Sequence, residues 1–77
     1  MERQNVESSN LHSVGYDADA HVLEVSFKDF KTGNVRAVWQ HLNVPKHIFD
    51  DLLTAPSVGK WFNEHVKSVF ESHKVDG

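Results

Sequence analysis

The spacing of hydrophobic residues changes at Pro45, and this switch constrains the fold more than any other feature of the chain. Before it, Leu23, Val25 and Phe27 alternate with Glu24, Ser26 and Lys28, the period-two pattern of a strand with one buried face. After it, Ile48, Phe49, Leu52 and Leu53 recur at helical spacing, with Lys46, His47, Asp50 and Asp51 facing away. The chain must therefore put strands first and helices second, and cover one with the other.

Three strand segments precede the switch: Leu11 to about Tyr16, the run HVLEVSFKD, and the run VRAVWQHL. Asp17-Ala18-Asp19-Ala20 separates the first two and reads as an Asx-turn, because aspartate side chains bond nearby backbone. Gly33-Asn34 separates the second and third. Connections this short predict an antiparallel meander. Pro45 suits the first helical position, where its missing N–H is not needed. Pro56 stops the first helix and Ser57 caps the second. Val58, Trp61, Phe62, Val66, Val69 and Phe70 form the stripe of that second helix.

The expected fold is α+β: a three-stranded antiparallel β-meander followed by two α-helices packed on one face. Seventy-seven residues leave no room for a second core, so we expect one domain. Its core spans about residues 8–70, with 1–7 and 71–77 as loose termini.

Several function classes are disfavoured at once. The chain has no cysteine, which removes disulfides and thiolate metal sites and fits a reducing compartment. No apolar run approaches the ~18 residues of a membrane span, and the polar N-terminus is not a signal peptide. The expected location is cytoplasmic. The formal charge is −3, so any nucleic-acid role must rest on a local basic patch. Six histidines are many for this length, but none pair at the i, i+3 or i, i+4 spacing of a helical zinc motif. We expect no metal and no cofactor. No nucleophile motif stands beside a base, so the chain does not read as an enzyme.

The candidate recognition residues are Trp39 and His41, two apart on the third strand and therefore on one face. Exposed rings there would stack unpaired bases, with Arg36 and Lys28 contacting phosphate. The competing arrangement puts Trp39 in the core and His41 at its rim. Ser57-x-Gly59-Lys60 resembles part of a phosphate loop, but a helix cap plus a glycine permitting close approach explains it better. Lys60, Glu64, Lys67, Glu71 and Lys74 fall on the outer face of the second helix as a mixed-charge stripe. Its i, i+4 pairs would set glutamates among the cations.

The stretches SSNLHSVGYD, LEVSF, NVP before a helix with LL, and SVGKWFNEHVKSVF resemble the KTSC domain. This small family is found at the C-terminus of some lysyl-tRNA synthetases and as a free-standing bacterial or phage protein. The resemblance covers about Ser8 to Phe70. The family's Tyr-x-Tyr signature before Val-Pro falls on Trp39 and His41, so both tyrosines are replaced. Lys67 stands where the family usually has arginine, and Lys60 is a basic position found in relatives. The resemblance implies RNA or tRNA contact and no assigned catalysis. Two functions remain open. One is a non-catalytic module contacting RNA or tRNA. The other is a protein-interaction adaptor using an exposed aromatic sheet face or a sheet edge. The oligomeric state is not readable.

Overall fold

The structure, a computed structural model, describes residues 2–75. Its elements are β1 (Arg3–Asn5), β2 (Leu11–Asp17), β3 (Val22–Lys28), β4 (Val35–His41), α1 (Lys46–Thr54), α2 (Val58–His65) and β5 (Ser72–Val75). The strands form one antiparallel sheet in the order β1-β2-β3-β4-β5. The α+β class, the antiparallel central strands and the two helices follow the sequence reading. The strand count does not: there are five strands, not three.

Both extra strands come from segments expected to be loose. β1 lies against β2 with Gln4 opposite Val14. Gly15 allows this approach, since a Cβ there would run into the backbone of Glu2 and the side chain of Arg3. β5 pairs with the outer edge of β4, joining Val38 to Val75 and His41 to Ser72. The edge of β4 offers unpaired N–H and C=O groups, and residues 72–75 satisfy them instead of fraying. Met1, Asp76 and Gly77 of the expected loose ends lie outside the described residues.

Pairing at β5 goes with an early end to α2. The helix stops at His65 rather than continuing to Phe70. Val66 and Lys67 both donate their N–H to the Phe62 carbonyl, at 2.9 and 3.0 Å. Val66 turns inward to complete burial, and Val69, expected on the buried stripe, is 63% exposed. At the other end Ser57 caps the helix, accepting from the Lys60 N–H. Gly59 is buried against the Ser8–Asn10 loop, where a Cβ would meet Asn10 and Ser8 side-chain oxygens. The cap-and-close-approach explanation therefore accounts for Ser57-x-Gly59-Lys60.

The core lies between the helices and one sheet face. Leu11, Val14, Leu23 and Val25 from the strands meet Leu52, Val58, Phe62 and Val66 from the helical half. Two bulges adjust which residues face it. Between Leu11 and Ser13, β2 advances two residues while β3 advances one; His12 is the extra residue, so Leu11 and Val14 both reach the core. Between Phe27 and Lys28 the extra residue is Arg36 on β4. At the turns, the Asp17 carboxylate accepts from Asp19 and Ala20 N–H at 3.0 and 3.1 Å, as an Asx-turn requires. Between β4 and α1, Asn43 takes φ 58°, which asparagine tolerates. Tyr16 stacks on Phe49 and donates its hydroxyl to the Val44 carbonyl at 2.5 Å.

Candidate functional site

Register settles the face of Trp39. Leu23 pairs with His41 and Val25 with Trp39, and residues directly opposite in an antiparallel pair point the same way. Trp39 and His41 therefore both face the helices. Their depths reverse the expected core packing, which had Trp39 inside and His41 at the rim. His41 is 3% exposed. Its ring meets Phe62 edge-on at 5.2 Å. Trp39 is only half-buried and stands outside the hydrophobic core. The cause is the length of α2: ending at His65, the helix covers His41 through Phe62 and stops short of Trp39.

The space beyond the helix end is a pocket of about 320 Å³. Phe27, Trp39, His41, Phe62 and Ser72 line it, with the exposed Arg36 and Lys67. Strict alternation would send Arg36 to the opposite sheet face from Trp39. The bulge gives β4 one extra residue at this point, and a bulge re-aims its side chain. Arg36 thereby joins Trp39 at the pocket. β5 sets Lys74 opposite Trp39 in register, though Lys74 lines a separate depression with Arg3 and Arg36.

A second depression, of about 310 Å³, shares Phe27, Arg36 and Lys67 with the first. Lys28, Phe30, Asn63, Ser9 and Asn10 complete it. Lys28 also donates from Nζ to the Ser8 carbonyl at 2.6 Å. Phe30, on the β3–β4 turn, is 84% exposed. The two depressions form one groove with a common divide, and no carboxylate lines either. Among the described residues, Lys28, Arg36 and Lys67 take part in no ion pair.

Lys67 owes this freedom to the helix end. A continuous helix would have set Glu71 one turn away. Instead the chain turns at Val66, and the expected Lys67–Glu71 and Lys60–Glu64 pairs are not formed among the described residues. Lys60 lines neither depression. Of the six candidate residues, Trp39, His41, Arg36 and Lys67 therefore meet at the first depression, Lys28 joins at the second, and Lys60 stands apart.

His41 sets the electrostatics of the inner wall. Neither ring nitrogen has a hydrogen-bond partner, and desolvation by burial lowers its pKa from 6.5 to about 4. The imidazole is neutral at pH 7. The groove is thus uncharged and ring-lined inside, and cationic at its mouth.

One groove residue, Phe30, was not singled out from sequence. It had a signal, a large ring within the polar turn Asp29–Asn34.

The KTSC domain family model matches residues 7–70. The chain belongs to the KTSC domain family. This KTSC domain is 39% identical over 69 residues to a protein of Tsukamurella paurometabola, covering 90% of this chain and 94% of the relative. It is 37% identical over 67 residues to an uncharacterized protein of Stutzerimonas stutzeri, covering 87% and 86%. The crystal structure of a KTSC domain protein from Yersinia pestis is similar throughout: TM-score 0.85, 33% identity, 97% of each chain covered. Neither the family nor these relatives names a catalytic activity. Among the described residues, no helix is long and apolar enough to cross a membrane.

Proposed function

We propose that this KTSC domain is a non-catalytic module that binds single-stranded RNA, tRNA included, along the groove between β4, the end of α2 and the β3–β4 turn. The observation that carries the reading is the meeting of Arg36 and Lys67 at half-buried Trp39, with Lys28 in the adjoining depression and no carboxylate lining either. In a chain of net charge −3, cations gathered this way give the local patch that phosphate binding needs. Aromatic rings beside a cationic track are the usual means of holding unpaired bases. His41, buried and with a pKa near 4, is poorly matched to general acid–base work near neutral pH.

The protein-interaction adaptor is the alternative. The sheet face away from the helices carries Glu24 bound to Arg3 and Gln40, a polar surface rather than an aromatic one. That leaves the sheet edges, the outer sides of β1 and β5, as its route.

Titration with labelled tRNA and with single-stranded RNA, at low and at physiological salt, tests the RNA reading. Binding should weaken with salt by a log–log slope of about −0.7 per neutralised phosphate. No binding at low salt would sink the reading in favour of the adaptor.

A further inference from the structure

We infer that the groove is built for a dinucleotide step: one base enters the pocket beside Trp39, the phosphodiester sits at the Arg36–Lys67 divide, and the next base rests on Phe30. This rests on the RNA reading and adds to it the footprint and its order.

The divide carries the inference. The two depressions are nearly equal, about 320 and 310 Å³. Both lie at the lower end of the range that holds small ligands, ~300–1,000 Å³. Each has its own aromatic ring, Trp39 in one and Phe30 in the other. The wall they share contains Phe27 with the two cations Arg36 and Lys67. Ring, cation pair, ring is the order of base, phosphate, base along a single strand. Arginine suits the central position, because its planar donors match phosphate oxygens in pairs.

The inner wall fits the same order. His41 keeps the far end of the first pocket neutral, and it packs on Phe62, so this wall favours a flat base over a phosphate. The charge lies where the backbone would run. Phe30, at 84% exposure, contributes nothing to the core. A ring left in water beside Lys28 and Arg36 has a use as a stacking surface.

The test uses the full chain carrying Trp61→Phe, so that fluorescence reports Trp39 alone. Trp61 packs on His65 on α2 and lines neither depression. The probes are UMP, the dinucleotide UpU and an oligouridine of about eight nucleotides. UpU should quench Trp39 and bind at least about fivefold tighter than UMP, the lower bound for one added stack. Phe30→Ala should bring UpU to the affinity of UMP and leave UMP unchanged. Arg36→Ala should weaken both. UpU binding no tighter than UMP, or insensitivity of UpU to Phe30→Ala, while the oligouridine still binds, would overturn the dinucleotide footprint and leave the RNA reading standing. Absence of oligouridine binding at low salt would overturn both. Phe30 is too exposed for its loss to unfold the chain, so a change in UpU affinity reads the groove.

Discussion

His41 is the residue at which the physical tension is greatest. An imidazole with both nitrogens unpartnered sits in apolar surroundings, where each unsatisfied group costs about 1–3 kcal/mol. Burial lowers its folded pKa to about 4 from 6.5. The unfolded chain therefore binds this proton at a higher pH than the folded one. Stability from the neutral imidazole is complete above pH ~6.5 and is lost as pH falls toward about 4, by roughly 3 kcal/mol in all. His41→Phe keeps a ring against Phe62 and removes the titration. In urea unfolding, its stability advantage over the native chain should widen by roughly 2–3 kcal/mol between pH 7 and pH 4. A constant gap would show that burial does not depress this histidine.

Among the elements, β5 decides most. Its four residues were indistinguishable in sequence from a frayed tail: Ser-His-Lys-Val has no strong alternation. The signal lies elsewhere, in the open edge of β4. By pairing there, β5 sets Lys74 opposite Trp39 and Ser72 opposite His41. A chain ending at Glu71 loses this ladder. Its unfolding midpoint should fall by roughly 5–15 °C, given about 0.5–1.5 kcal/mol per lost hydrogen bond less the entropy regained. Amide exchange in Val38–His41 should accelerate in the same variant. An unchanged midpoint with unchanged exchange would mean that β5 adds nothing to the sheet. The bulge at Arg36 acts at this scale too. One extra residue moves a cation from the expected sheet face to the Trp39 pocket, and no alternation pattern in a single sequence reveals where a ladder slips.

Across the whole molecule, charge is distributed so that an acidic chain keeps a cationic groove at Lys28, Arg36 and Lys67. Net charge described the chain and missed the patch, because Lys28, Arg36 and Lys67 come from three separate segments. The distribution separates the lysines by role. Lys67→Ala should weaken single-stranded RNA binding about three- to tenfold and reduce the salt slope by about 0.7. Lys60→Ala, which removes a charge outside the groove, should leave affinity within about twofold. Equal losses from both would mean that overall charge, not the groove, attracts RNA.

The sequence by itself determined the switch from strand to helix at Pro45, the turn at Asp17, the cap at Ser57 and the family. These rest on neighbours along the chain: period, punctuation and side-chain-to-backbone bonds a few residues apart. It also marked Trp39 and His41 as the pair to watch. Tertiary structure alone decided their depths, the arrival of Arg36 beside them, the freedom of Lys67 and the existence of β1 and β5. Each of those depends on where one element ends against another, and edge pairing, bulge position and helix termination are settled by contacts far apart in sequence.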